Sequence, residues 1–288
     1  MKRYVLTLAL MVLCAAALVV AVAFYQPAGG AGGRAKTGAP PARAAHAQPL
    51  PEKPIEEIVE SVGPAVVALN TTERRLIRAR FRDPLFQFFW GGEDFIAERE
   101  GIGSAVIFDA EGYALTNEHV VGGAQEIEAI LSDGRQVRAE ICAVDRAHDL
   151  ALIRLEARGL PVAELGGSGD LQVGQAVLAF GNPFGTASRS AQPSVTFGVI
   201  SGLQRNIRVE RGRFYRDLIQ TDAAINLGNN GGPLVDMTGR VIGLNTLIVT
   251  SSGASTGVGF AIPTDLVRER LDDLRGECGR VGRTKRRR

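Results

Sequence analysis

The sequence predicts an all-β fold of two six-stranded antiparallel barrels with a short C-terminal helix. Three observations predict it. From Ala65 onward, short apolar runs are broken by turn signals about every ten residues, the rhythm of an antiparallel barrel. Around six such runs fall in each half of that region. The 35 glycines and the 6% aromatic content favour many tight turns over long helices. With 288 residues, 45% of them hydrophobic and 22% charged, the chain can bury one large core or two modest ones.

Taken in order, the chain opens with Lys2 and Arg3 before an uncharged apolar run from Tyr4 to Tyr25, about 22 residues. That is enough for a helix to cross the roughly 30 Å hydrocarbon core of a bilayer. Residues 1–25 are therefore expected to form a transmembrane signal anchor. The A-x-A triplets at 21–23 and 45–47 keep a cleaved signal open as the alternative. A basic N-terminus ahead of the span stays inside, which places the bulk of the chain outside the cytoplasm. Residues 26–54, rich in Ala, Gly and Pro, read as a flexible tether. Ile55, Ile58, Val59 and Val62 have helical spacing, and Pro64 ends that helix.

The first barrel is assigned to 55–160, with strands at Ala65–Leu69, Ser104–Phe108, Tyr113–Thr116, Glu126–Leu131, Gln136–Val144 and Leu150–Arg154. The second, 161–275, takes Ala176–Phe180, Ser194–Leu203, Leu218–Thr221, Pro233–Val235, Val241–Val249 and Gly257–Ala261. Glu111-Gly112, Asp133-Gly134 and Thr238-Gly239 mark hairpins. The insertion Thr71–Gly101 interrupts the rhythm and carries Phe86, Phe88, Phe89 and Trp90, suited either to a subunit contact or to folding back on the barrel. A helix at Pro263–Leu274 presents Leu266, Val267, Leu271 and Leu274 as one stripe, expected to pack on the second barrel. Residues 276–288 read as a solvated basic tail in which Arg280, Arg283, Lys285, Arg286, Arg287 and Arg288 concentrate the basic excess, so the net charge of +2 implies no nucleic-acid partner. Cys14, Cys142 and Cys278 imply no disulfide framework.

The chemistry concentrates at Gly228-Asn229-Asn230-Gly231-Gly232. Glycines on both sides of one residue let the backbone turn sharply, so that the N–H groups of Gly228, Asn229 and Asn230 can converge on an anion. This is the architecture of a nucleophile loop, yet its central residue is Asn230. His119 follows a strand and Asp149 opens one, giving the order His, Asp, nucleophile position. In that arrangement Asp149 fixes the imidazole tautomer and His119 takes the nucleophile's proton. His148 points away from the pair, and neither a cofactor nor a metal is called for.

L-T-N-E-H-V-V around His119, D-L-A-L-I-R-L from Asp149, G-N-P-F-G at 181–185, I-Q-T-D-A-A-I-N-L-G-N-N-G-G-P-L and G-V-G-F-A-I-P at 257–263 resemble the protease domain of the HtrA/Deg family of trypsin-like serine endopeptidases, over about residues 55–275. The resemblance implies the same two-barrel fold, metal-free work on misfolded or signalling proteins in the periplasm, a membrane-anchored branch and trimers. It also implies that Ala224 forms the base of the specificity pocket and that Leu247 and Ile248 line it for a small or medium apolar side chain. Two departures stand out. The usual serine is Asn230, whose delocalised amide nitrogen is no nucleophile. The fourteen residues after Leu274 are too few for the peptide-reading PDZ module that usually follows. The expectation is a membrane-anchored pseudoprotease that binds extended polypeptide. An active endopeptidase, if Asn230 is a mutation or error, and a purely structural assembly subunit are the alternatives.

Overall fold

A computed structural model describes residues 54–77, 95–182, 192–208, 213–226, 228–248 and 257–285. The expected anchor at 4–25, the tether up to residue 53 and the aromatic cluster Phe86–Trp90 lie outside the described residues. Among those described, no helix is long and apolar enough to cross a membrane.

Helix α1 (Ile55–Val62) buries Ile58 and Val62, and a single 3₁₀ turn, Gly63–Ala65, delivers the chain into the first sheet. Its strands are β1 (Val66–Ile77), β2 (Phe95–Ile107), β3 (Tyr113–Thr116), β4 (Glu126–Ile130), β5 (Gln136–Asp145) and β6 (Leu150–Leu155). A four-residue helix, α2 (Glu118–Val121), interrupts them after β3. They close in the order β1-β2-β3-β6-β5-β4. The second set, β7 (Ala176–Gly181), β8 (Ser194–Arg208), β9 (Phe214–Thr221), β10 (Pro233–Asp236), β11 (Val241–Ile248) and β12 (Gly259–Pro263), closes as β10-β11-β12-β9-β8-β7. Closure in this way leaves no long edge exposed. Gly112, Gly134 and Gly239 all adopt positive φ at the hairpins their dipeptides mark.

Burial along the strands follows their place between neighbours. In β6, Leu150 to Ile153 are all buried and only Arg154 is exposed. Alternation is lost there because one face fills the barrel and the other is covered by the C-terminal helix, so both faces call for apolar residues. Both ends of the interrupting stretch Thr71–Gly101 are more sheet: β1 and β2 continue in unbroken register from Val66↔Val106 to Ile77↔Phe95, and residues 78–94 lie outside the described ones. Polar residues such as Thr72, Glu73 and Arg74 hid this continuation because that part of the hairpin stands in solvent.

Three expectations are corrected. The C-terminal helix, α3, runs Thr264–Lys285 rather than stopping at Leu274, so the tail is helical through Lys285. It packs chiefly on β5 of the first barrel, not on the second alone. Arg270 reaches Asp145 at 2.9 Å and Arg275 reaches Asp109 at 2.6 Å, with Arg275 also lying over the rings of Phe108 and Tyr113. These anchors hold the helix past Gly276, a residue that would weaken it in isolation. Finally, Cys142 on β5 and Cys278 on α3 form a disulfide across 136 residues. The spacing of the cysteines gave no hint of it, because the pairing depends on where α3 lands.

Cys278→Ser is expected to lower unfolding stability by roughly 2–5 kcal/mol. Denaturant titration with and without reductant checks it; a wild-type chain indifferent to reductant would contradict the pairing.

Candidate active site

Asp149 is the fixed point. It follows a turn in which the Asp145 carboxylate accepts the N–H groups of Ala147 (3.0 Å) and His148 (3.2 Å), and its own φ is +58°. Aspartate tolerates that left-handed conformation better than most residues. Its backbone carbonyl accepts from Glu118 N–H (3.1 Å) and Asn117 Nδ2 (3.2 Å), which ties the start of β6 to the segment entering α2.

That tie delivers His119. Its Nδ1 lies 2.7 Å from Asp149 Oδ2, and its backbone N–H donates to Asp149 Oδ1 at 3.0 Å. The carboxylate, fully buried, accepts three further bonds. They come from Thr246 Oγ1 (2.8 Å), Tyr215 OH (3.0 Å) and Arg213 Nη1 (2.8 Å), all on the second barrel or at its edge. Burial alone would raise the Asp149 pKa, but hydrogen bonds from His119 and Thr246 together with the charge of the imidazole hold it below the ordinary carboxylate value. Tyr215 moves the other way: burial, then the negative charge of Asp149, push its phenol up to about 12, so it stays a donor. Arg213 also donates through Nη2 to Glu118 Oε2 at 2.6 Å. His148 is held by Asp145, with its Nδ1 at 2.7 Å from Oδ2, and takes no part.

The loop at 228–232 is locked from both barrels. Ser104 of β2 donates its N–H to Asn230 O (2.8 Å) and its hydroxyl to Gly228 O (2.6 Å), while that hydroxyl accepts Asn182 N–H (2.8 Å). Gly231 N–H donates to Asn245 O at 2.8 Å and Gly232 N–H to Asn229 O at 2.9 Å. Gly231 has φ +83°, and any Cβ there would strike Ser104 O and Thr116 Oγ1. Gly181 is equally constrained, because a Cβ would run into Asn229. With Asn229 N–H committed to Asn226 O at 3.0 Å, the N–H groups of Gly228 and Asn230 are the two in this loop without a partner among the described residues.

Asn230 closes the line. Its Nδ2 lies 3.1 Å from His119 Nε2. With Nδ1–H directed at Asp149, Nε2 of a neutral imidazole is an acceptor, so the amide nitrogen, not its oxygen, must face it. A hydroxyl at position 230 could pass a proton along this line to His119. An amide can only donate a hydrogen bond.

The sequence thus singled out His119, Asp149 and Asn230, and the fold brings them together. Gly228 and Asn229 share the loop, with Asn229 buried. Ala224 is half-buried; its carbonyl accepts from Thr196 Oγ1 (2.9 Å) and Asn229 Nδ2 (3.4 Å). Leu247 and Ile248 fall on β11, where only their backbone is described. Sequence reasoning missed Arg213, Tyr215, Thr246, Glu118 and Ser104. Adjacency to His119 could have flagged Glu118; nothing local distinguishes Arg213 from the arginines around it. Among the described residues no cluster of His, Cys, Asp and Glu could hold a metal ion.

Comparison with known proteins supports the same reading. The family described as Trypsin-like peptidase domain matches residues 103–244. The chain is 39% identical over 261 residues to a probable periplasmic serine endoprotease DegP-like of Halomonas elongata, covering 84% of this chain and 53% of that protein. It is 45% identical over 187 residues to Protease Do-like 1, chloroplastic, of Arabidopsis thaliana, covering 63% and 41%. It spans about half the length of the curated relatives it matches. Among solved structures, the HtrA-type protease AlgW with decapeptide superposes with a TM-score of 0.61 at 42% identity, covering 76% of this chain and 66% of that one. The same protease with tripeptide gives 0.63 at 39%, covering 77% and 64%.

Because the folded pKa of Asp149 is depressed, its stabilisation is fully present above the unfolded value of about 3.9 and is lost as pH falls through the lower folded value. Asp145 is depressed too, by His148 and Arg270 acting against burial, and is lost in the same acid window. Asp149→Asn should cost roughly 2–5 kcal/mol at neutral pH, since it strips Arg213 of a buried partner, and should flatten the acid limb below about pH 4. Denaturant unfolding measured across pH checks both, and an acid limb as steep as that of the wild type would contradict them.

Proposed function

Since the chain belongs to the HtrA/Deg family of trypsin-like serine proteases, we propose that it acts in the periplasm or a comparable extracytoplasmic space by holding extended polypeptide in its active-site cleft without cleaving it. The observation that carries this is the pairing of Asn230 Nδ2 with His119 Nε2 inside an otherwise complete site. His119, Asp149 and the anion-binding N–H groups of Gly228 and Asn230 are in place, while the one atom that must attack a carbonyl is an amide nitrogen. Ala224, Leu247 and Ile248 take a small or medium apolar side chain of the bound segment. Two of the similar solved structures carry a decapeptide and a tripeptide, which supports peptide as the ligand class. The periplasmic relatives support the compartment. Residues 4–25 serve as the membrane anchor, and the unit assembles as a trimer, in keeping with the family.

A second reading, an active serine endopeptidase in which Asn230 is a mutation or error, is favoured by the geometry kept around that residue. Asp149 still holds His119 at 2.7 Å, which a site long released from catalysis need not maintain.

Three outcomes follow from purified protein. The wild-type chain should bind a labelled extended peptide by fluorescence anisotropy, leave an unfolded protein intact and resist a fluorophosphonate probe. Asn230→Ser should label and cleave, with a gain approaching 10⁶ if the rest of the site is competent. Wild-type cleavage that disappears in His119→Ala would refute the non-cleaving assignment, and absence of any peptide binding would leave only an assembly role.

A further inference from the structure

Arg213 sits one residue before β9, on the second barrel's side of the site, yet both anions it holds belong to the first. Its Nη1 donates to Asp149 Oδ1 at 2.8 Å and its Nη2 to Glu118 Oε2 at 2.6 Å. Nη1 also lies 3.4 Å from Tyr215 OH, itself a donor to Asp149 Oδ2. The Arg213 side chain is about a third exposed at 31%, whereas the side chains it pairs with are 0% and 8% exposed. A planar fork that engages two carboxylates at once fixes their relative placement as well as their charge.

The division of labour on Asp149 shows why this matters. Oδ2 already serves three donors, His119 Nδ1, Tyr215 OH and Thr246 Oγ1, so it is the crowded oxygen of the pair. Oδ1 accepts one backbone N–H, from His119 itself, and one permanently charged donor, Arg213, so the guanidinium restrains the carboxylate from the side opposite the imidazole Nδ1. Glu118 in turn prevents Arg213 from swinging away. Arg146 is no substitute, since it reaches only Glu118, at 3.3 Å, and its side chain is 78% exposed. Without Arg213, Asp149 would lose its arginine partner and Glu118 would keep only that exposed one among the described residues.

We infer that Arg213 is a positioning residue: braced on Glu118, it pins Oδ1 of Asp149 so that Oδ2 stays aligned with His119 Nδ1. The inference rests on the proposed reading of His119 and Asp149 as the surviving acid–base pair, but its test needs neither peptide nor cleavage.

Proton NMR of the wild-type chain, Asn230 in place, reads the Nδ1–H of His119 directly. A short hydrogen bond to a carboxylate moves that proton to low field, and its disappearance in His119→Ala assigns it. A sharp signal is expected in the wild type, and Arg213→Lys, which keeps the charge but not the planar fork, should exchange faster than the wild type and more slowly than Arg213→Met. Arg213→Met should accelerate its exchange with solvent by roughly ten- to a hundredfold, the equivalent of one charge-assisted hydrogen bond. Glu118→Gln should fall between. If Arg213→Met does not fold, Arg213→Met/Glu118→Gln removes the stranded carboxylate and carries the same expectation. No wild-type signal, or exchange unchanged in the folded Met variant, the double variant or Glu118→Gln, overturns the inference. A chain that shows the expected pattern but binds no peptide refutes the proposed function and leaves the role of Arg213 standing.

Discussion

One buried carboxylate organises this molecule. Asp149 gathers five donors, two from His119 and one each from Thr246, Tyr215 and Arg213, and they come from both barrels. An ionised group with no exposure is tolerable only when its lone pairs are filled, and here filling them requires the two barrels to meet in one relative placement. The site is therefore also part of the joint. A second set of bonds, from Ser104 to the backbone of Gly228 and Asn230, repeats the arrangement a few residues away. Between them, the two sets explain why His119 and Asn230, 111 residues apart in sequence, come within hydrogen-bonding distance.

Asparagine at the centre of that joint is structurally satisfied. Its amide gives His119 Nε2 a donor, so the imidazole keeps both nitrogens engaged. The loop glycines remain under the same steric demands that a serine-bearing loop would impose, as Gly231 against Ser104 and Thr116 makes plain. Asn230 thus sits in a geometry maintained by the hydrogen bonds of Asp149 and Ser104 together with the packing around them.

Much of this was legible in the chain itself. Short apolar runs and the three Gly hairpins located the strands, since run length and turn chemistry are local properties. The order of His119, Asp149 and the Gly-rich loop identified the site. What escaped was whatever depends on the third dimension. Arg213 looks like any other arginine in a polar stretch until β9 carries it to Glu118. The extended β1–β2 hairpin carries polar residues because solvent, not core, lies beside it. Helix α3 outran its apolar stripe because Arg270, Arg275 and Cys278 anchor it through contacts that no periodicity encodes.

The landing place of α3 has a consequence for how the chain must be made. β5 and β6 belong to the first half, but the helix that covers them is the last described element, and Cys142 waits 136 residues for Cys278. During vectorial synthesis the first barrel can pair its strands while one flank remains uncovered, exposing apolar surface that invites association. Completion of the early half is thereby deferred to the arrival of the late one. A chain interrupted before Arg270 would lack the covering helix and the Arg270–Asp145 brace behind the turn that carries Asp149, so an unfinished molecule would also be an unassembled site.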